Sequence, residues 1–554
     1  MEDRFNHKDA DLLISQFSES NADLVRCIHI TRLIGLEPDL VLHGGGNSSV
    51  KVIQSDILGE PQHIIYVKGS GRNMATISPS DFCPLNLDPL RHLHRLKSLS
   101  DDELENQLGI HRLSIKSPEP SVEALLHAFL PHRYVMHTHA DSLLIIGSQK
   151  GGRRLIKQVM GDDVAVLPYI ASGFPLAGAV ADSVKKSESI NAVIVCGHGA
   201  FTFAENAETV YRRMIRLVTR AELFIESRSN RSLLKAPQSK LAPSLKEADR
   251  DLARVCHVIR GACSDPTESG TIRRCCVEVR RSKEMIQASL NPIAETLCRT
   301  GVITPDHVLW TKNRIVFIPR IPEEDHELNS IIQKAVSDFI REYRRYLNPV
   351  KEDASTIPSL DLTPVLFLVS GLGLIAAGST WSSTRIAADI GEKTILIKLK
   401  SHALGDFRPI SKNHVIRMET WSLQKKKKKE FPGHPLIGQV AVITGAGGAI
   451  GFGIAKQLLK AGAAVALTDI DSSRLETSFS LLFNEFASQK IERFLLDVTQ
   501  EDAVVELFNA ISLRFGGIDI LVPNAGIAHV ARIEELDSSI FDKVIAVNLK
   551  GTVN

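Results

Sequence analysis

Two histidines, His137 and His139, stand one residue apart in the apolar segment HRYVMHTHAD. In a β-strand, side chains two positions apart leave the same face, so both imidazoles would point the same way. Two imidazoles on one rigid strand supply half of a divalent-metal site, for which zinc is the usual ion. An ordinary pair of core or surface histidines fits the same spacing. A third histidine, His198, follows another apolar run, AVIVCGHGAF, and a carboxylate, Glu123, precedes the pair. Together these residues predict a metal site.

Two glycine-rich segments precede the histidines. They are HGGGNSSVK, which contains Asn47 and Ser48, and VKGSGRNM, which contains Ser70 and Gly71. Glycines let backbone amides converge, and the hydroxyl and amide side chains add further donors, so each segment could form a concave anion site. Such a site suits a phosphate monoester. Either segment alone would also fit an ordinary hairpin turn, but both of them before one HxH strand form a more specific pattern.

A third glycine-rich segment lies near the other end of the chain, in GQVAVITGAGGAIGFGIAKQLLKAGAAVALTDID. Its pattern predicts a strand, a glycine turn, a helix and a second strand. This order fits a dinucleotide site with Thr444, Gly445 and Gly451 in the turn and the pyrophosphate over the start of the helix. Asp469 ends the second strand, where a carboxylate would bind the ribose hydroxyls and repel a 2′-phosphate. The segment therefore predicts NAD rather than NADP.

The positions of these motifs divide a chain of 554 residues into three domains and a linker. Alternating apolar runs, glycine turns and amphipathic helices predict an α/β fold throughout. The expected boundaries are 1–230 for the histidine domain, 231–420 for a middle α/β region without recognisable chemistry, 421–435 for a linker containing five consecutive lysines, and 436–554 for the dinucleotide domain.

Composition and charge exclude several classes of partner. The formal net charge is only +2, which gives no field for nucleic acid. The most apolar stretch, 363–381, contains a proline and three glycines, so a buried strand, a glycine turn and a helix explain it better than a membrane span. Eight cysteines without a CxxC pair and a polar N-terminus predict reduced thiols in the cytoplasm.

As a set, the motifs GGGNSSVK, VKGSG, Glu123 with His127, HTH and the later HG resemble those of the class II aldolase/adducin family. The resemblance covers roughly residues 20–230 and implies an α/β/α domain. By position it makes His137, His139 and His198 zinc ligands. It makes Glu123 the catalytic carboxylate, with Glu119 as the alternative. It also implies that phosphate is bound by a set of turn residues: Asn47, Ser48, Ser70 and Gly71.

This family includes zinc-dependent aldolases and a sugar-phosphate epimerase. The resemblance therefore implies a lyase that cleaves a ketose 1-phosphate, similar to rhamnulose 1-phosphate, into dihydroxyacetone phosphate and an aldehyde. Zinc would act as the Lewis acid and Glu123 would move the proton. An epimerase or dehydratase reaction on the same fold stays open. A proton donor from a neighbouring subunit is typical of these aldolases, so a homo-oligomer is expected.

The C-terminal segment resembles the short-chain dehydrogenase/reductase family. After the glycine turn, LLDVT, LVPNAGI and VNLKG appear in the family's order. By position, the resemblance adds Asp497, Asn524, Ala525 and Gly526 to the cofactor site and makes Asn548 a catalytic residue.

The family's Ser and Tyr-x-x-x-Lys do not follow Asn548 in this sequence. We therefore expect an incomplete Rossmann domain with weak NAD binding and no dehydrogenase activity. The order of domains resembles bifunctional rhamnulose-phosphate aldolase/alcohol dehydrogenases, cut short at the C-terminus. An NAD-dependent alcohol or aldehyde oxidoreductase is the alternative function.

Overall fold

The computed structural model describes residues 1–234, 245–266, 272–347, 362–420, 434–487 and 489–554. The chain forms two compact units. Unit 1 contains Met1–Leu234, Gly301–Leu309 and Leu396–Lys428, and unit 2 contains Lys235–Thr300, Trp310–Ile395 and Lys429–Asn554. The middle region therefore contributes to both units. The boundaries at residues 230, 420 and 435 stay a prediction, and the basic linker lies outside the described residues up to residue 433.

Short runs rich in β-branched and aromatic residues form most of the strands, in keeping with their β propensity. Within the described ranges the strands are, in chain order, β1 (Asn47–Ser55), β2 (Pro61–Lys68), β3 (Phe82–Asn86), β4 (Tyr134–Thr138), β5 (Val164–Leu167), β6 (Ala192–Val195), β7 (Gly199–Ala204), β8 (Asp265–Pro266), β9 (Ile272–Arg273), β10 (Cys276–Arg280), β11 (Val316–Ile318), β12 (Leu366–Val369), β13 (Gly373–Gly378), β14 (Val440–Thr444), β15 (Ala464–Asp469), β16 (Ile491–Leu495) and β17 (Ile520–Val522).

Segments with helical periodicity form the helices, several of which begin at a capping side chain such as Asn21 or Asn206. The α-helices are α1 (His7–Gln16), α2 (Ala22–Gly35), α3 (Leu87–His92), α4 (Asp101–Ile110), α5 (Ala124–Phe129), α6 (Asp141–Gly147), α7 (Gly152–Met160), α8 (Phe174–Lys185), α9 (Ala207–Arg228), α10 (Leu245–Ala262), α11 (Lys283–Leu290), α12 (Ala294–Arg299), α13 (Val308–Thr311), α14 (Asp325–Leu347), α15 (Trp381–Leu404), α16 (Lys412–Thr420), α17 (Ala449–Lys460), α18 (Ser472–Glu485), α19 (Glu501–Phe515), α20 (Ser538–Ile545) and α21 (Gly551–Val553).

Unit 1 is built on a seven-stranded sheet in the order β3-β2-β1-β4-β7-β6-β5. Neighbouring strands are antiparallel except β5 and β6, which are parallel. Alternate side chains of the strands enter two separate cores. Val50 and Met136 lie in one core with residues of α2 and α9, whereas Val135 and Phe201 lie in the other with residues of α5 and α8. Helices therefore cover both faces of the sheet, and the expected α/β/α architecture is confirmed.

Unit 2 contains two four-stranded sheets, in the orders β10-β13-β12-β11 and β16-β15-β14-β17. In the second sheet all three strand pairs are parallel, and α17, α18 and α19 separate the successive strands along the chain. A parallel sheet with helical crossovers is the Rossmann arrangement, as the sequence predicts. Its buried strands are nearly continuous runs of Val, Ala, Ile and Leu, which is typical of parallel sheets covered on both faces.

The apolar stretch 363–381 forms a hairpin, not the strand, turn and helix that the sequence suggests. Strands β12 and β13 pair antiparallel around a turn in which Gly371 and Gly373 have φ of 81° and 104°. The residues after the turn are extended because β13 lies between β12 and β10 and bonds to both. Among the described residues, no helix is long and apolar enough to cross a membrane.

Candidate metal and phosphate site

Three histidine side chains converge where β4 ends. His137 lies in β4, His139 follows the strand, and His198 lies in the turn between β6 and β7. His139 Nε2 and His198 Nε2 lie 3.0 and 3.2 Å from His137 Nε2. A glycine follows His198 because a Cβ at Gly199 would lie 2.1 Å from the Thr138 carbonyl oxygen. The structure therefore brings together the three residues that the sequence proposes as ligands.

The protonation of His137 suits metal binding. Its Nδ1 lies 3.0 Å from the Ala200 carbonyl oxygen, to which it donates, and this leaves the Nε2 lone pair facing the other two histidines. Burial lowers the pKa of His137 well below its ordinary value, so the ring is neutral. Neutral imidazoles whose lone pairs face one another at about 3 Å need a proton or a cation between them. The donor set therefore fits a divalent ion with an open position for substrate.

The Glu123 carboxylate is buried against two of these histidines. Its Oε1 lies 2.9 Å from His198 Nε2 and its Oε2 lies 3.6 Å from His137 Nε2. Burial raises the pKa of Glu123, but its interactions with the His137 and His198 imidazoles and with Asn47 outweigh burial and hold the pKa well below its usual range. For His198, burial lowers the pKa, but Glu123 outweighs that effect and raises it. The alternative carboxylate, Glu119, is 75% exposed and pairs with Arg112.

Asn47 holds the Glu123 carboxylate in place. Its Nδ2 donates to Glu123 Oε2 at 2.6 Å and to Ser121 Oγ at 3.1 Å. His127 Nε2 donates to Asn47 Oδ1, and the other ring nitrogen lies 2.8 Å from Ser49 Oγ. Burial lowers the pKa of His127 to about 3, so this ring is neutral and fixes the orientation of the amide. The sequence predicts a phosphate contact for Asn47 and no role for His127, although the spacing of His127 from Glu123 is a signal.

Both glycine-rich segments line the same pocket as His139 and His198. Gly44, Gly46 and Gly71 have φ of 77°, 64° and 71°, a region that favours glycine. Lys68 is only 1% exposed, and its Nζ donates to the carbonyl oxygens of Gly44 at 3.1 Å and Gly69 at 3.3 Å. A buried ammonium between the two turns would attract an anion. The sequence alone predicts no role for Lys68, although this residue lies within the VKGSG motif.

The two serines proposed for phosphate binding lie in different places. Ser70 lines the pocket, and its backbone N–H donates to the Glu119 carbonyl oxygen at 2.8 Å. Ser48 Oγ lies 2.6 Å from Thr31 Oγ of α2, because neighbours along a strand point to opposite faces. Ser48 is absent from the described residues that line the pocket, and its contact with phosphate stays a prediction.

Two later segments of unit 1 complete the pocket wall, through Pro305, Asp306 and Met418. Asp306 Oδ2 lies 3.5 Å from His139 Nδ1. Burial raises the pKa of Asp306, but its interactions with the His139 and His307 imidazoles outweigh burial and hold the pKa well below its usual range. No motif marks Asp306 in the sequence, so the sequence alone does not predict that the middle region contributes to this site.

In unit 2, the residues predicted for the cofactor turn meet one another. Thr444 Oγ1 accepts hydrogen bonds from the backbone N–H groups of Asn524 and Ala525, both at 2.9 Å. Asn524 Nδ2 donates to the carbonyl oxygens of Thr444 at 2.9 Å and Gly445 at 3.2 Å. A Cβ at Gly451 would lie 2.3 Å from the Gly445 carbonyl oxygen, so the start of α17 can lie this close only with glycine.

The two aspartates of the predicted cofactor site bind backbone groups near the ends of their strands. Asp469 Oδ2 accepts from the Gly447 N–H of the glycine turn at 2.9 Å. Asp497 Oδ1 accepts from the Thr499 N–H at 3.0 Å and from the Thr499 hydroxyl at 2.7 Å. Asp469 therefore borders the turn where a ribose would lie, whereas Asp497 shapes the loop that follows β16.

Asn548, the predicted catalytic residue of this segment, pairs with the loop that contains Gly526. Its Oδ1 accepts from the Ile527 N–H and its Nδ2 donates to the Ile527 carbonyl oxygen, both at 2.9 Å. This double hydrogen bond positions the loop that follows β17. The catalytic role of Asn548 stays a prediction.

Three family models match successive parts of the chain. The class II aldolase and adducin N-terminal domain matches residues 25–225, the aldolase class II second domain matches residues 250–427, and the short chain dehydrogenase model matches residues 439–554. The second of these covers most of the middle region, which the sequence analysis left without a family. Asp306 and Met418 lie within it.

Individual relatives are similar to most of this chain or to parts of it. The uncharacterized oxidoreductase YuxG of Bacillus subtilis is 28% identical over 95% of this chain and 75% of its own length. The N-terminal class II aldolase domain of a conserved protein from Thermoplasma acidophilum is 36% identical, covering 41% of this chain and 99% of that chain, with a TM-score of 0.37. The galactitol 2-dehydrogenase of Agrobacterium fabrum is 40% identical over 21% of this chain, and the match spans 43% of that dehydrogenase.

Proposed function

The chain belongs to the class II aldolase/adducin family and carries a short-chain dehydrogenase domain after its aldolase domains, and on this premise we propose that unit 1 is a metal-dependent aldehyde-lyase. Its substrate is a ketose 1-phosphate similar to rhamnulose 1-phosphate, and its products are dihydroxyacetone phosphate and an aldehyde. Zinc is the metal we expect, held by His137, His139 and His198.

One observation carries this proposal: His139, His198 and Glu123 line the same pocket as the two glycine-rich turns, and His137 lies beside them in the histidine cluster. A metal site without an anion site would suit many reactions, and an anion site alone would suit simple binding. Their combination fits a substrate with a phosphate at one end and a carbonyl with a neighbouring hydroxyl at the other. The buried, neutral imidazole of His137 favours metal binding at this cluster.

Different groups in this pocket would carry out different parts of the reaction. A bound divalent ion would supply Lewis-acid catalysis at the carbonyl and its neighbouring hydroxyl. Glu123, ionised and held by Asn47, takes the proton of the hydroxyl whose carbon becomes the aldehyde. The carbon–carbon bond then breaks, and its electron pair stays on the carbon that becomes part of dihydroxyacetone phosphate. Glu123 returns the proton to that carbon, so no proton is gained or lost overall.

The phosphate would be held by Lys68 and by the turns around Asn47, Ser70 and Gly71. The ammonium of Lys68 already lies between the two turns, so it needs no large movement to meet a phosphate. Binding energy from the phosphate would fix the distance between the reacting carbons and Glu123.

A screen of ketose 1-phosphates with the zinc-loaded chain tests the proposal. Release of dihydroxyacetone phosphate is measured with a coupled reductase, and Glu123→Gln serves as the inactive control. Conversion of the ketose phosphate into another ketose phosphate would favour an epimerase, and loss of water would favour a dehydratase. No turnover of any phosphorylated ketose would contradict the lyase proposal.

Contacts in unit 2 favour a second function, binding of a nicotinamide cofactor. Thr444, Gly445 and Asn524 form one hydrogen-bonded turn, Gly451 packs against it, and Asp469 borders it. This arrangement supports NAD in preference to NADP. An aldehyde released by a lyase is a substrate that a nicotinamide-dependent domain could oxidise or reduce. A homo-oligomer and a cytoplasmic location also remain proposals.

A further inference from the structure

Asp306 approaches the histidine cluster from a part of the chain far from the aldolase motifs. It lies in the short 3-10 helix Pro305–His307. Val302 and Val308, on either side of this helix, pack with Val415 and Met418. The short helix is therefore anchored by its own apolar cluster, and the position of Asp306 does not depend on a mobile loop.

The two ring nitrogens of His139 have different neighbours. Nε2 lies 3.0 Å from His137 Nε2, inside the histidine cluster. Nδ1 lies 3.5 Å from Asp306 Oδ2, on the other side of the ring. One edge of the imidazole therefore faces the proposed metal position, and the other edge faces a carboxylate.

A carboxylate at Nδ1 controls which nitrogen of a neutral imidazole carries the proton. A hydrogen on Nδ1 is attracted to the carboxylate, and the Nε2 lone pair is then free for a metal. The Ala200 carbonyl oxygen holds the proton of His137 on Nδ1 in the same way. The side chain of His139 is 14% exposed and lies beyond the end of its strand, so it has less support from the sheet than His137, which is fully buried.

We propose that Asp306 is a positioning residue for the metal site, which orients His139 through Nδ1 and leaves Nε2 for the ion. The inference rests on the proposed function, since it presupposes a metal on the three histidines. Asp306 is not itself a ligand. Among the described residues, the cluster with one donor atom each within 4.8 Å contains His137, His139 and His198 but not Asp306. The aldolase site is therefore completed by a residue of the second aldolase domain.

The test is the affinity of the metal-free, full-length chain for Zn²⁺, measured by competition with a chromophoric chelator. Asp306→Asn should weaken binding by about 10- to 100-fold, the usual effect of removing the outer partner of a ligating histidine. Asp306→Glu should recover part of the loss. The matched control is Asp406→Asn, which removes an exposed carboxylate of unit 1 that pairs with Arg408 and should leave the affinity unchanged.

The visible absorption of the Co²⁺-substituted protein separates a positioning role from a ligand role. The band positions of Asp306→Asn should match those of the wild type, whereas His139→Ala should shift them because a ligand is lost. A shift in Asp306→Asn would overturn the positioning role, and so would an affinity within twofold of wild type. If the wild type itself binds no metal, the proposed function fails and this inference fails with it. If Asp306→Asn does not fold, Asp306→Ala replaces it, and a Zn²⁺ affinity within twofold of the wild type in that variant would overturn the proposal.

Discussion

Asn47 lies directly opposite His137 in the antiparallel pair of β1 and β4. This register explains why a glycine-rich segment near residue 45 and an HxH strand near residue 137 belong to one site. The strand that leaves the first glycine turn runs beside the strand that carries the histidine, so the turn and the imidazole share one edge. A shift of one residue would turn Asn47 to the other face of the sheet and separate it from Glu123.

Replacing Glu123 by Gln should lower turnover by about 10²–10⁴-fold, because the amide cannot accept the proton. The metal should stay bound, since the three histidines are unchanged. Steady-state assays of dihydroxyacetone phosphate release measure the effect. Glu119→Gln is the control, because this carboxylate is exposed and paired with Arg112. The assignment is wrong if Glu119→Gln abolishes turnover and Glu123→Gln does not.

Replacing Lys68 by Met should raise the KM for a phosphorylated ketose by about 10- to 100-fold, the value of one charge-assisted hydrogen bond. The kcat should change much less, because the proposed proton transfer is carried out by Glu123 and not by Lys68. Inhibition by inorganic phosphate should weaken in parallel. Lys68→Arg, which keeps the charge, checks that the buried position tolerates substitution. An unchanged KM in a folded Lys68→Met variant would show that phosphate is bound elsewhere.

His127 should make the stability of unit 1 sensitive to acid. Burial holds its pKa at about 3 in the folded chain, against an ordinary value of 6.5. Below pH 6.5 the unfolded chain binds a proton that the folded chain does not, so stability falls by up to about 1.4 kcal/mol per pH unit down to the folded pKa. His127→Gln can still donate to Asn47 but does not titrate. Its thermal midpoint should therefore fall less steeply than that of the wild type between pH 6.5 and about 4. An equally steep fall of the thermal midpoint with pH in the two proteins would contradict this role of His127.

The dinucleotide site of unit 2 should bind NAD more tightly than NADP. Asp469 borders the glycine turn, where its carboxylate would bond to the ribose hydroxyls of NAD and repel the 2′-phosphate of NADP. Asp469→Ala should therefore reduce the difference in affinity between the two cofactors. Calorimetric titration with each cofactor measures both affinities. Equal affinities for NAD and NADP in the wild type would contradict this assignment.

Local spacing predicted much of this site. HxH on a strand places two rings on one side because the side-chain period of a strand is two, and the rings of His137 and His139 are indeed neighbours. The glycine turns were recognisable from their composition. The parallel sheet of unit 2 and its turn followed from the order of strand, turn and helix.

Long-range contacts could not be predicted in the same way. Asp306 reaches His139 from a segment of ordinary composition, so only the packing of Val302 and Val308 with Val415 and Met418 determines its position. The apolar stretch that the sequence suggests would become a helix after its turn is a strand, because pairing with β10 and β12 outweighs the local pattern. Such tertiary effects leave no local signal.

The most direct test of the central claim is the metal content of the purified chain. Elemental analysis should find about one zinc per chain in the wild type and a large loss in His139→Ala. His63→Ala is the matched control, because His63 is about half exposed and pairs with Asp88 away from the pocket. The His63→Ala variant should retain the full metal content of the wild type. Equal metal content in the wild type and His139→Ala would contradict the assignment of the three histidines.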